Sequence, residues 1–323
     1  MRRTARILSV ILILALVFTL TACNKDQGAG KEDRKIVVGY STIAYSLAEL
    51  PQFLYRHLED GCKARGWDFL PLAAEGDVTK QGEQVQQLIQ QKPDVMVLFP
   101  GDPQLAVDWV KDINAAGIPV INLHTDVAEA GRQYSAAFVG ADNYNLAANI
   151  AKVVIDTFGK DAGINIVQIG GVPVQADMIQ RQAGFNDTIA AGSNFNILGI
   201  EWAFSSRADA QGFMENFIST YGDSIDVLYG LTDNLTLGGM YALQAAGMTD
   251  VKIYSITGFK EVIAAIKAGT FTLTAQTHTK VEIDKVMELL DKLVAGQKID
   301  EYFQYMDTPF ITKENADKFE GEF

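Results

Sequence analysis

The 323-residue sequence predicts an α/β protein of two lobes, each a doubly wound parallel sheet. Three observations carry that expectation. Short apolar runs alternate with amphipathic helical stretches along nearly the whole chain. With 48% hydrophobic residues the chain can bury a large core, yet it exceeds the roughly 250 residues at which single cores stop growing, so two lobes are expected. Finally, residues 94–126, DVMVLFPGDPQLAVDWVKDINAAGIPVINLHTD, read as one complete strand–helix–strand unit. In such a unit both strands end at the same sheet edge, so the turn at Pro100-Gly101-Asp102 and the turn at His124-Thr125-Asp126 share a rim, where ligands of open α/β sheets bind.

The elements follow in order. A strand over 36–40 leads to a helix ending near Gly66, and a strand over 67–72 leads to a helix carrying Val85, Leu88 and Ile89. After the 94–126 unit, strands over 136–139 and 164–169 bracket a helix with Leu146, Ala147, Ile150, Ala151, Val154 and Phe158. A strand over 197–202, a helix with Phe213, Met214, Phe217, Ile218 and Tyr221, and a strand over 226–229 come next. Helices near 237–246, 259–268 and 281–294 each stop at a glycine, Gly247, Gly269 and Gly296, with strands over 251–256 and 271–276 between them. Repeated alternation of this kind argues for parallel sheets.

The first residues carry Arg2, Arg3 and Arg6, then an uncharged apolar run over 7–20, then Leu20-Thr21-Ala22-Cys23. A basic start, a short apolar stretch and small residues before a cut describe a secretory signal over 1–22 rather than a membrane span, which needs about 20 apolar residues. Leu-x-Ala-Cys is similar to the bacterial lipobox, in which Cys23 becomes the lipidated first residue; a plain signal with an incidental cysteine is the alternative. Residues 24–35, NKDQGAGKEDRK, lack apolar periodicity and read as a flexible tether, so the lipidated segment spans 23–35.

Net charge is −13, and without the signal's three arginines 24 basic residues face 40 acidic ones, a net of −16. Such a surface repels phosphate backbones, and nucleic acid is not an expected partner. Apart from Cys23 only Cys62 remains, expected to be a small buried apolar residue on a helix.

Five segments in order carry a family resemblance: Ile118-Pro-Val-Ile-Asn122, Val139-Gly-Ala-Asp-Asn143, Arg181-Gln-Ala-Gly-Phe185, Thr232-Asp-x-x-x-Leu-Gly238 with Ala242-Leu243, and Asp307-Thr-Pro-Phe-Ile-Thr-Lys-Glu-Asn315. Spanning about residues 36–315, they resemble the landmarks of type I periplasmic solute-binding proteins of ABC importers, the ribose- and galactose-binding group. The resemblance implies two Rossmann-like lobes joined by a three-crossing hinge, with the ligand clamped between them. By analogy the crossings fall near Gly140–Asp142, Gln276–Thr277 and Tyr305–Thr308. The lobes are then 36–140 plus 277–305 and 141–276 plus 306–323, with Gly140, Asp142 and Thr277 as hinge residues. Lactose-repressor-type regulators share the fold but begin with a DNA-binding helix-turn-helix, which this chain does not.

A closed cleft takes a ligand's hydroxyls out of water, so each needs a partner, while aromatic rings cover its C–H faces. On the family pattern, Tyr45 in the first loop stands where relatives place a stacking aromatic; core packing is its alternative. His124-Thr125 replaces Asp-Arg of the pentose binders, Ile179 stands in place of the usual sugar-holding Arg, and Arg181 matches the signature's structural Arg. Thr232 replaces Asn, Thr257 replaces Asp, and Gln276 at the hinge is retained. The expected binding set is Tyr45, His124, Thr125, Phe204, Thr232, Thr257 and Gln276, a neutral rim with Trp202 and Tyr229 nearby. It would suit a sugar other than ribose, a cyclitol, a deoxy sugar or a nucleoside-like solute. Asp233 and Asp142 are expected as helix N-caps, Trp109 and Trp67 as core, and His57 and His278 as ordinary surface or core residues.

Three histidines, no H-E-x-x-H, no cysteine cluster, no G-x-S-x-G and no P-loop leave metal or nucleophilic catalysis unsupported, so no cofactor, no metal and no enzyme activity are expected. Gly170-Gly171-Val172-Pro173 lacks the spacing of a dinucleotide loop. The expected function is a lipid-anchored extracytoplasmic binding protein, a monomer that hands a small neutral sugar to an ABC permease and its ATPase. The alternatives are a binder of a nucleoside or other aromatic polar solute, or a sensor that presents its ligand to a membrane receptor.

Overall fold

The computed structural model describes residues 34–46 and 49–322. The expected signal over 1–22, Cys23 and the tether as far as residue 33 lie outside the described residues.

In chain order the strands are β1 (Val37–Thr42), β2 (Asp68–Ala73), β3 (Val95–Phe99), β4 (Val120–Leu123), β5 (Ala137–Gly140), β6 (Asn165–Gly170), β7 (Asn196–Trp202), β8 (Val227–Gly230), β9 (Lys252–Thr257), β10 (Leu273–Gln276), β11 (Phe303–Tyr305) and β12 (Phe310–Ile311). The helices are α1 (Glu49–Ala64), α2 (Val78–Gln91), α3 (Ala106–Ala115), α4 (Glu129–Arg132), α5 (Asn143–Phe158), α6 (Ala176–Gly192), α7 (Arg207–Tyr221), α8 (Asp233–Ala245), α9 (Lys260–Ala268) and α10 (Thr279–Val294).

Two six-stranded sheets result, ordered β11-β5-β4-β3-β1-β2 and β12-β10-β9-β8-β6-β7. The central strands are apolar without alternation because helices cover both faces: every residue of β3, VMVLF, is buried. In the first lobe α1 and α10 pack one face around Leu54, Leu58, Val286 and Leu290, while α2 and α3 pack the other around Val85, Leu88, Trp109 and Ile113. In the second, α5 and α6 lie on one face with Ile150, Val154 and Phe185, and α7, α8 and α9 on the other with Met214, Leu237 and Ile263. Cys62 is fully buried in α1, and burial pushes its thiol up to about 12. Gly269 ends α9 at φ 82, a left-handed cap that only glycine adopts without strain.

The chain passes between the sheets after Gly140, after Gln276 and after Tyr305. These passages are tied together: Met306 N–H donates to the Gly140 carbonyl at 2.9 Å, and Gln276 N–H to that of Pro309 at 2.9 Å. One strand corrects the expectation of wholly parallel sheets. β12 pairs antiparallel with β10; at two residues it is too short to leave a periodic signal, as is the three-residue β11.

Asp233 also departs from expectation. It is the first residue of α8 rather than its cap, which is Thr232. Its fully buried carboxylate accepts from the backbone of Gly258 and Phe259, both at 2.7 Å, from the Thr274 hydroxyl at 2.8 Å, and from the Ser255 hydroxyl. It thus clamps the β9–α9 turn, where Thr257 sits at φ 144 and Gly258 at φ 87. A β-branched residue at such an angle is strained, and its neighbours must over-determine it. Asp233→Ala, which removes the acceptor of four hydrogen bonds, is expected to destabilise the protein by about 2–4 kcal/mol in urea unfolding; a loss below roughly 0.5 kcal/mol would remove the clamp.

Candidate binding cleft

Parallel strands end at one edge, and the two sheets turn those edges toward a common gap. Phe99 ends β3, His124 and Thr125 follow β4, Phe204 follows β7, Thr232 follows β8 and Thr257 ends β9. Together with the starts of α1, α6 and α7 they enclose about 360 Å³, within the range of small-molecule sites. Of the non-glycine residues at positive φ among the described ones, three line this gap: His124 at 65°, Phe204 at 54° and Thr257 at 144°. Strain gathered at one place is a mark of a site that holds groups in a set orientation.

Five of the expected residues, His124, Thr125, Phe204, Thr232 and Thr257, therefore share the cleft. Two do not line it. The Tyr45 ring packs on Tyr55, with ring centroids 4.8 Å apart. Gln276 is 8% exposed and donates its amide to the Glu320 carbonyl at 3.0 Å, because the C-terminal segment runs beside the second crossing. Trp202 and Tyr229 also fall outside: Trp202 lies over Gly170, and Tyr229 is fully buried, stacked on Phe185 at 3.9 Å. Of the hinge residues, Asp142 caps α5 by accepting from Asn145 N–H at 3.1 Å, Gly140 leaves no room for a Cβ against the Phe138 ring, and Thr277 lines the cleft.

The expectation of a neutral rim needs correction. Asp177, Arg181, Arg207 and Glu49 all border the cleft. Glu49, Asp177 and Arg207 come from first turns of helices and Arg181 from the second turn of α6, positions that carry no strand-end signal, although Asp177 does follow the Gly170-Gly171 turn after β6. Both arginines are already engaged. Arg207 pairs with Glu261 at 2.9 Å, and the Arg181 guanidinium, 3% exposed, donates to Asn143 Oδ1 and to the Leu231 carbonyl, both at 2.8 Å. Arg181 thus braces α6 against α5 and the end of β8 while facing the ligand gap.

Two polar groups in the wall lack protein partners: Asp177 Oδ1, in a residue 8% exposed, and Thr277 Oγ1, in one 4% exposed. An unmet buried polar atom costs about 1–3 kcal/mol, so each is a place where a ligand hydroxyl regains what folding forgoes. Phe99, Phe204 and Phe259 supply apolar faces beside them.

His124 is held from behind. Its Nδ1 lies 3.2 Å from Glu282 Oε2, the side chains being 11% and 2% exposed, and its ring meets Phe99 edge-on at 5.3 Å. Burial alone would lower its pKa, but Glu282, with help from Asp177 and against Arg181, outweighs burial and raises it. A raised folded-state value means that the pair's contribution is complete below the ordinary histidine value of about 6.5 and is lost as pH rises through the elevated folded value. His124→Asn tolerates the left-handed backbone, and the stability gap between wild type and this variant is expected to be larger at pH 6 than at pH 9. Equal gaps in chemical unfolding at the two pH values would show that the ring's charge plays no part.

Comparison with known proteins agrees with this architecture. A family model described as periplasmic binding protein domain matches residues 17–298. The chain is 27% identical over 319 residues to the xylitol-binding protein of Mycolicibacterium smegmatis, covering 98% of this chain and 88% of that one. It is 27% identical over 300 residues to the ribose import binding protein of Bacillus subtilis, covering 90% and 94%. The crystal structure of an ABC transporter solute binding protein from Mycobacterium smegmatis with bound glycerol superposes with a TM-score of 0.80 at 26% identity, covering 90% of this chain and 98% of that one. The chain belongs to the periplasmic binding protein family, in the ribose-type group of type I solute-binding proteins of ABC transporters.

Proposed function

We propose that this protein is the solute-capturing component of an ABC importer, which takes one neutral sugar or sugar-like polyol into the cleft and delivers it to a permease and its ATPase. The observation that carries this reading is the pairing of buried, partnerless Asp177 Oδ1 and Thr277 Oγ1 with the rings of Phe99, Phe204 and Phe259. A polyhydroxylated ring or chain has hydroxyls at its edges and C–H groups on its faces, and it meets both kinds of wall. With Arg207 held by Glu261 and Arg181 by Asn143 and the Leu231 carbonyl, both arginines of the wall are already engaged, which supports an uncharged guest over an anion, and the relatives named for xylitol and ribose weigh the same way.

Capture works by differential contact. The walls come from both sheets, and the lobes, 36–140 plus 277–305 and 141–276 plus 306–323, turn about the three crossings. A guest that touches both lobes favours the closed arrangement by the contacts it gains only there, and the permease reads that arrangement. Nothing in this cycle makes or breaks a bond, and the protein works as a monomer. Family membership implies a place outside the cytoplasm; among the described residues no helix is long and apolar enough to cross a membrane. Cys23, lipidated after removal of 1–22, with the tether to residue 35, would hold the body at the membrane.

Titration calorimetry with xylitol and myo-inositol is expected to give one-to-one binding without turnover, and D-ribose, whose usual Asp-Arg partners are replaced here by His124-Thr125, is expected to bind more weakly. Asp177→Ala should weaken binding by about 1–3 kcal/mol, the cost of an unmet ligand hydroxyl, and Phe204→Ala by about 1 kcal/mol or more. Adenosine and uridine belong in the same series, since three phenylalanines would also stack a base; binding of these alone would replace the carbohydrate reading. For the anchor, Cys23→Ala is expected to move the protein from the membrane fraction to the soluble one, and an unchanged distribution would remove the lipid.

A further inference from the structure

A second gap between the lobes lies behind His124, Thr125 and Asp177, which form the wall it shares with the main cleft. It holds about 250 Å³ and runs toward the first and third crossings, where Ala141 and Tyr305 border it.

One flank is aromatic. The rings of Phe303 and Tyr305 on β11 stack with centroids 5.2 Å apart and planes 18° apart, and Phe138 meets each of them edge-on at 6.3 Å. The Arg132 guanidinium lies 4.9 Å over the Phe303 ring, while Tyr305, 47% exposed, stays accessible, although apolar rings on an edge strand are ordinarily covered or replaced by charge. From the other lobe come the Gln180 amide and the Asp177 carboxylate. Asp126 and Arg132, also in this wall, already satisfy each other at 2.8 Å, and Asp126 takes the Tyr302 hydroxyl at 2.6 Å. The acceptor left without a partner is Asp177 Oδ1, in a residue 8% exposed that borders both gaps.

A hydrocarbon would cover the rings and leave Asp177 unmet, and an anion would be repelled by it. A saturated ring with hydroxyls at its edge meets both walls. The geometry points to a second carbohydrate subsite, so that the solute carried is a two-unit glycoside or glycosyl polyol, with one unit in the main cleft and the other against the Phe303–Tyr305 ladder. Asp177, at the shared wall, is placed to accept a hydroxyl near the linkage. This inference rests on the carbohydrate reading of the main cleft and names the size of its ligand.

The test is titration calorimetry on the full chain, with xylitol and D-ribose as single-unit probes and xylobiose, maltose, sucrose and galactinol as two-unit probes, each compared with its own constituent units. At least one two-unit probe is expected to bind about tenfold or more tighter than either constituent. Tyr305→Ala and Gln180→Ala, made separately because either could disturb its surroundings, should each erase most of that advantage while leaving the constituent's affinity within about twofold. A single-unit probe that binds as tightly as every two-unit probe, with both variants unaffected, would mean that the gap holds only water and would overturn the inference alone. Equal weakening of one-unit and two-unit probes in the variants would overturn it too, because the gap would then belong to the hinge. Failure of every carbohydrate to bind would overturn the reading of the main cleft and this inference with it.

Discussion

When neighbouring strands run the same way, every strand-to-helix turn is delivered to one edge of the sheet. Here the first sheet is parallel throughout, and the second departs from it only at β12. With the chain crossing three times along one side, the turns after β3, β4, β7, β8 and β9 face one another across a gap. No single residue makes the cleft; the handed connections of two sheets do.

The turns at that gap carry strain, and buried polar groups brace them. His124, Phe204 and Thr257 hold backbone angles that their side chains disfavour. Asp233 pins the Thr257–Phe259 turn through two backbone hydrogen bonds and ties it to β9 and β10 through two more, from Ser255 and Thr274, and Arg181 pins the start of α5 and the end of β8. Both are ionisable, almost wholly buried and hydrogen-bonded to neutral protein groups, which is the condition under which such groups persist in an interior. Among the described residues that line the cleft, the bracing leaves Asp177 Oδ1 and Thr277 Oγ1 buried with no intramolecular partner. Rigid supports with a few unmet groups between them make a site whose guest supplies what the fold withholds.

The lobes are also tied at their backs. Glu322 accepts from Thr279 N–H at 2.7 Å at the start of α10 and lies 2.7 Å from His57 Nε2, while Glu320 takes the Gln276 amide. The C-terminal segment therefore leaves the second lobe and touches the first, close to the second crossing. This explains why Gln276, whose place in the family pattern suggested a ligand contact, faces the tail instead. His57 and His278, which the sequence marked as ordinary, both lie beside the Glu322 carboxylate, at 2.7 and 3.5 Å.

The features legible in the order of residues were periodic and local. The alternation of apolar runs with helical stripes, the helix stops at Gly247, Gly269 and Gly296, and the placing of His124, Thr125, Phe204, Thr232 and Thr257 at strand ends all follow from a few neighbouring residues and from the rule that parallel strands end together. The remaining features depend on residues far apart in the chain. Whether Tyr45 meets Tyr55 or a ligand, whether Asp233 caps its own helix or the turn after β9, and whether Asp177 is satisfied or left open are settled by partners that periodicity does not name. Hydrophobic patterning reports which face of an element is buried; it is silent about which polar atoms meet once the faces are closed, because that pairing is fixed by packing in three dimensions.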